Sequence, residues 1–278
     1  MSNASGQSAV DHTLRQAAAA LQSGRTIDAE RLARDARTQA PGHAGALQLH
    51  GMTLLGLGRH EDAVAPLQDA VRINPGAPAE TYLAMALRGM GRTADATTLL
   101  RRAVERKPPF PNAYFELGTL LHAERKLDEA ETILRQGVNL APGVPAFPLA
   151  LANVLFDRGD QENAKKAFVN ALAAAPRLTS ALEGLGSILM AQGTFKDAAA
   201  RFRELLAIDS GNAKVRLLLA SCLLELGQAE ESRTILTNVV AASPELFGQA
   251  LKAQTETGRG RLWLKPSVAA RFLDLRRD

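Results

Sequence analysis

The sequence predicts an all-α fold, a solenoid of about seven helix-turn-helix repeats finished by a C-terminal capping helix. Three observations predict it. Hydrophobic residues make up 46% of the chain but aromatic residues only 4%. The apolar content is therefore mostly Ala and Leu, strong helix formers, while the residues that strands favour are scarce. Proline recurs at Pro41, Pro75, Pro108, Pro142, Pro176 and Pro244, with Ser210 in the one gap, in steps of 34, 33, 34, 34, 34 and 34 residues. Seventeen residues before each of these positions stands a glycine, at Gly24, Gly58, Gly91, Gly159, Gly193 and Gly227, with Arg125 the one exception. A period of this length belongs to stacked helical hairpins.

The remaining columns say how each hairpin closes. One reads Ala17, Gly51, Ala84, Gly118, Ala152, Gly186, Ala220, and a second reads Ala29, Ala63, Ala96, Ala130, Ala164, Ala198, Ser232. Helices approach closely only where side chains are small, so these columns mark the crossing of helix A over helix B. Leucine columns flank them, at Leu83, Leu117, Leu151, Leu185 and Leu219 and at Leu54, Leu87, Leu121, Leu155, Leu189 and Leu223. Larger plugs follow at Leu67, Leu100, Leu134, Phe168, Phe202 and Leu236. Spacings of three and four put them on one helical face. Each unit reads as helix A, a turn at the glycine, helix B, and then the proline, which pushes the residue before it out of helical geometry.

Taken in order, repeat one runs from Val10 and departs furthest from the pattern. Gln16 and Ala20 stand in its leucine columns and Ala33 at its plug, as in a terminal capping unit. Residues 1–9, small and polar, are expected to be disordered. Repeat two, from Ala44, carries Pro66 inside its second helix, where the ring removes a hydrogen bond and is expected to bend the helix. Repeat three, from Ala77, joins repeat four, from Pro111, through the stiff run Lys107, Pro108, Pro109, Phe110, Pro111. Repeat five, from Pro145, has Pro148 in its first turn, where proline is tolerated. Repeats six and seven begin near Thr179 and Ala213, so the repeats fill residues 10–244. Residues 245–278 leave the repeat as a capping helix and amphipathic tail. Leu246, Phe247, Ala250 and Leu251 form a face able to cover the end of repeat seven. Residues 258–261 read as a turn, and Val268, Phe272 and Leu275 form a second helical face. Trp263 is expected to be buried against helix B of repeat seven, because in water it would leave an unusual apolar patch.

This pattern resembles the tetratricopeptide repeat family, whose motif has small residues at its eighth and twentieth positions, Ala or similar at the twenty-seventh and Pro at the thirty-second. The resemblance covers about residues 10–244. The Gly, Ala and Pro columns and the balanced charge favour it over the pentatricopeptide repeat, an RNA-reading relative of nearly the same period. It implies a right-handed solenoid whose A helices line a concave groove, with the fifth, ninth and twelfth positions projecting into it. Carried over position by position, these are Gln48, Met52 and Leu55 in repeat two, Thr81, Met85 and Arg88 in repeat three, and Phe115, Thr119 and His122 in repeat four. Repeat five supplies Leu149, Asn153 and Phe156, repeat six Glu183, Ser187 and Met190, and repeat seven Leu217, Ser221 and Leu224. The family's carboxylate clamp for chaperone C-termini needs Lys at the fifth position and Asn at the ninth. No fifth position here is Lys and only Asn153 matches at the ninth, so that use is not expected. Met52, Met85, Phe115, Phe156 and Met190 instead make an apolar, pliable stripe suited to a peptide with apolar anchors.

Nothing in the residues points to catalysis, a cofactor or a metal. His12, His43, His50, His60 and His122 form no zinc-ligand pair, and His50, in a leucine column, reads as a packed core residue. The sole cysteine, Cys222, excludes an internal disulfide and reads as a small buried hydrophobe. Basic and acidic residues number 33 and 29, a net charge of +4. Their signs alternate along most of the chain, so a nucleic-acid stripe is not expected. No apolar run approaches the ~18 residues of a membrane span, and the N-terminus lacks a signal pattern. The expectation is a cytoplasmic protein-interaction scaffold that binds a partner peptide. Its rival is a regulatory or targeting arm of a longer enzyme whose catalytic part lies beyond Asp278. Self-association through the C-terminal tail is a third expectation.

Overall fold

The computed structural model describes residues 2–255, with side chains from 8 to 253. Among them are fifteen α-helices and no strand. Seven antiparallel hairpins follow one another. These are α1 (Ser2–Gln22) with α2 (Thr26–Gln39), α3 (Ala44–Gly56) with α4 (His60–Ile73), α5 (Ala77–Gly89) with α6 (Thr93–Glu105), and α7 (Pro111–Ala123) with α8 (Leu127–Leu140). Then come α9 (Ala146–Asp157) with α10 (Gln161–Ala174), α11 (Thr179–Ala191) with α12 (Phe195–Ile208), and α13 (Ala213–Glu225) with α14 (Ala229–Ala242). A short 3-10 turn (Pro244–Leu246) leads into α15 (Phe247–Thr255). The hairpins fall into two compact units that meet in sequence at Pro142 and Gly143. The first holds α1–α8 and the second α9–α15.

Every helix A ends in the same way. The amide two residues beyond the turn's start reaches back to a carbonyl five residues earlier, as Arg59 N–H does to Leu54 at 2.9 Å and Thr194 N–H to Leu189 at 2.9 Å. This closure needs a left-handed residue just before it. Six glycines supply it, with φ from 71° to 85°, and Arg125 takes the same conformation at φ 62°. Helix B ends at the proline column, although α12 stops at Ile208 without one. There Asn212 starts the next helix instead, its side chain accepting from Val215 N–H at 3.1 Å.

The small columns form the core. Ala17, Ala84, Ala152, Ala220, Ala96, Ala130, Ala164 and Ala198 are wholly buried, as are the plugs Leu67, Leu134, Phe202 and Leu236. A methyl group added at Gly51 would run into Leu67, one at Gly118 into Leu134, and one at Gly186 would come within 2.6 Å of the Phe202 ring. In each case glycine lies against the plug of its own hairpin. Repeat one closes as tightly with Ala20 and Ala33 in place of leucines, both buried.

Two charged clusters sit within the first unit. Glu80 is fully buried, and Arg102 and Arg106 donate to it at 2.7 and 2.8 Å, tying α5 to α6. His50 is buried between Arg37, 3.2 Å from Nδ1, and Glu30, 3.3 Å from Nε2. Arginine can only donate, so Nδ1 accepts and Nε2–H donates to the carboxylate, which leaves the ring neutral. Burial lowers the His50 pKa below its ordinary value, outweighing the attraction of Glu30.

Two departures from expectation stand out. The stretch 1–9 was expected to be disordered, yet α1 begins at Ser2. Its Ala and Ser residues contain no proline to stop a helix propagating back from Val10. Pro66 lies inside the second helix of its repeat, as expected, and α4 continues through it to Ile73 with the residue buried. Residues 246–253 do cap repeat seven, but the covering set is Leu246, Phe247, Ala250 and Ala253, packed on Leu217, Leu236, Val239 and Val240. Leu251, expected on that face, is half-buried like Leu246 and Phe247 but is not part of the set packed on this cluster. The expectations for residues 258–261, Trp263, Val268, Phe272 and Leu275 lie outside the described residues.

Candidate functional site

In the first unit the A helices α3, α5 and α7 lie side by side, and the offsets of four and three keep each helix's stripe on one face. Gln48, Met52 and Leu55 on α3 are half-buried, as are Met85 and Arg88 on α5 and Phe115, Thr119 and His122 on α7. Half-burial is what a lining residue shows when its base packs between helices and its tip stays open. The Met52 sulfur lies 4.0 Å from the Gln48 amide nitrogen, and Thr119 turns its hydroxyl back to the Glu116 carbonyl at 3.1 Å. The stripe leaves methionine, leucine and phenylalanine half-buried, with the Thr119 hydroxyl internally satisfied.

Two members of the predicted set behave otherwise. Thr81 is wholly buried and donates to the Ala77 carbonyl at 2.7 Å, so it belongs to the core and is removed from the lining. A β-branched side chain with a hydroxyl satisfied one turn back can be enclosed between helices at little cost. Arg88 stays on the lining but does not offer a free charge, because its guanidinium pairs with Glu116 at 2.7 Å. Glu116 is itself buried, and burial raises its pKa above the usual carboxylate value, the attraction of Arg88 only opposing this.

In the second unit the stripe is more open. Asn153 and Phe156 on α9 are exposed, Phe156 at 43%, and Leu149 is half-buried. On α11, Ser187 and Met190 are half-buried, and Glu183 is held by Lys214 at 2.6 Å. Leu224 on α13 is half-buried. A cavity of about 660 Å³ opens between α11, α13 and α15. Met190, Leu217 and Ser221 line it, all from the predicted set. Leu217 serves twice, since it is also part of the core beneath α15.

The rest of that wall is Phe195, Lys214, Leu218, Glu225, Gln249, Lys252 and Ala253, none of which was singled out from the sequence. Three of these belong to α15, assigned only as a cap. The signal that finds them is the period itself. Phe247 opens α15 34 residues after Ala213 opens α13, so α15 takes the place of an eighth helix A.

Among the described residues, no group of three or more His, Cys, Asp or Glu side chains is placed to hold a metal ion. Cys222 is buried, and burial pushes its thiol up to about 11, far from the thiolate a nucleophile needs. No described helix is long and apolar enough to cross a membrane.

Comparison with known proteins places this geometry. Two family models, both described as Tetratricopeptide repeat, match the chain, one over residues 87–154 and 189–255 and the other over 14–78 and 149–213. No match is found among curated proteins. Among solved structures, a thermophilic TPR protein of Thermus thermophilus is 23% identical with a TM-score of 0.57, the match covering 65% of this chain and 99% of that one. The pilF protein of Pseudomonas aeruginosa is 19% identical with a TM-score of 0.67, over 76% of this chain and 97% of that one. YrrB, described as a TPR protein with an unusual peptide-binding site, is 15% identical with a TM-score of 0.54, over 66% of this chain and 95% of that one. At these identities the likeness is one of fold.

Proposed function

The chain belongs to the tetratricopeptide repeat family, and on that premise we propose that it is a protein-interaction scaffold whose A-helix face holds a peptide segment of a partner protein. One observation carries the reading. Within each unit the A helices leave an apolar lining, half-buried at Met52, Leu55, Met85 and Phe115 in the first and at Leu149 and Met190 in the second, where Phe156 is exposed. Such a lining satisfies its own polar groups and keeps apolar tips available, which suits anchors inserted from an extended or helical peptide. Methionine adapts its shape to differing anchors, so the partner's side chains need not be of one kind. The cavity beside α15 falls within the size range of small-ligand sites and accepts one bulky side chain. The solved relative described as having a peptide-binding site lends the reading support by analogy.

The test is capture of partners from cell extract with the intact chain and with Met85→Glu combined with Phe115→Glu. Two charges on the lining should each remove an anchor contact, and together they should weaken capture tenfold or more, at ~1 kcal/mol or more per anchor. Helicity by circular dichroism should be unchanged. Unfolding of the double variant would show these side chains to be core. Undiminished capture by a folded variant would move the binding surface elsewhere.

A further inference from the structure

Charge is scarce on the A helices of the first unit. Histidine aside, α3 carries no acidic or basic residue, and α5 and α7 carry only Glu80, Arg88 and Glu116. Glu80 is enclosed by Arg102 and Arg106, which leaves Arg88 and Glu116. The two differ in depth. The Arg88 side chain is 39% exposed and that of Glu116 9%, with Nη1 of the arginine 2.7 Å from Oε2 of the glutamate. The pair therefore presents its positive end outward. A guanidinium has five N–H donors and one carboxylate takes at most two of them, so Arg88 keeps donors for a second acceptor.

Stacking of the repeats does not call for this pair. Arg88 is the twelfth residue of its repeat and Glu116 the sixth of the next. One junction earlier the same two positions hold Leu55 and Tyr82, and within the second unit they hold Phe156 and Gly184, then Met190 and Leu218. Packed apolar side chains serve a fold at least as well as a buried ion pair does. Enclosing Glu116 also has a cost, since burial raises its pKa and Arg88 only opposes the rise. What the pair adds is a guanidinium held in place within an apolar stripe, with Met85 one turn back on α5 and Phe115 beside Glu116 in the chain. We propose that Arg88 takes the carboxylate of an Asp or Glu side chain that the bound peptide carries between its apolar anchors, while Glu116 positions the guanidinium from beneath. A bidentate contact of arginine with carboxylate fixes the register of a peptide that apolar anchors alone let slide. This role rests on the scaffold reading of the same face.

The test is selection by the intact chain from random peptides displayed on phage, their C-termini joined to the coat protein so that only side chains supply a carboxylate. Selected peptides should be enriched in Asp or Glu flanked by apolar residues. In solution, changing that acid to its amide should weaken binding to the intact chain about tenfold or more. In Arg88→Gln, the acid and amide forms should bind alike while circular dichroism is unchanged. The same is expected of Arg88→Leu combined with Glu116→Tyr, which installs the residues of the preceding junction. That double variant serves where Arg88→Gln strands Glu116 and unfolds, and the acid-to-amide comparison on the intact chain needs no variant at all. Apolar peptides selected without acid enrichment overturn the proposal, as does equal binding of acid and amide by the intact chain. A preference for acid that survives in the folded double variant places the contact elsewhere and equally overturns it. Acid-free peptides whose capture is abolished by Met85→Glu with Phe115→Glu sink the role of Arg88 alone. Failure to select any peptide sinks the scaffold reading with it.

Discussion

Arg125 holds a left-handed backbone, φ 62°, at the one helix turn where glycine is missing. For a residue with a Cβ this conformation costs roughly 1–2 kcal/mol, and replacing it by glycine returns that strain less the extra entropy glycine loses on folding. Arg125→Gly should therefore stabilise the fold by about 0.5–1 kcal/mol, seen as a higher midpoint in urea denaturation. His50 makes a second residue-scale prediction. Its pKa is lowered in the folded chain by burial among Glu30, Arg34 and Arg37. In the unfolded chain it protonates near its ordinary value of 6.5. Its contribution is thus complete above that value and lost as pH falls below it, because only the unfolded state gains the proton. His50→Gln keeps a donor and an acceptor but cannot titrate. Between about pH 7.5 and 5.5, a window spanning that ordinary value, its denaturation midpoint should fall less steeply than that of the unaltered chain.

At the scale of elements the working unit is the hairpin, and its contact is a small residue against a plug. Ala130 on α8 is wholly buried at the crossing with α7. A phenylalanine there has no volume to enter, so Ala130→Phe should cost about 1–3 kcal/mol or more by overpacking. An unchanged denaturation midpoint would mean that the hairpin register is wrong. The α15 helix shows how one element can fill two roles. Its inward side covers Leu236 and Val239, while Gln249, Lys252 and Ala253 border a cavity shared with α11 and α13. Its start at the 34-residue step explains both. The position of a helix A in a stack is at once cover for the preceding hairpin and lining for the A-helix face.

At the scale of the whole molecule, hairpins support one another through nearest neighbours, so damage travels. In the Ala130→Phe chain, hydrogen exchange should lose protection in α5 and α6 as well as in α7 and α8, and less in α1 and α2. Loss confined to the α7–α8 hairpin would mean that the repeats are energetically independent. The sequence alone determined the hairpins and their order. What ends a helix, what permits close approach and which face is apolar are encoded within a few residues of each site, and a period of 33 or 34 residues repeats the message. Tertiary structure alone decided the burial of Thr81, the pairing of Arg88 with Glu116, the enclosure of Glu80 by Arg102 and Arg106, and the cavity beside α15. Each of these depends on side chains that different helices bring together. Whether a group ends buried, paired or open is set by what packs across from it, and a stripe on one helix carries no record of that.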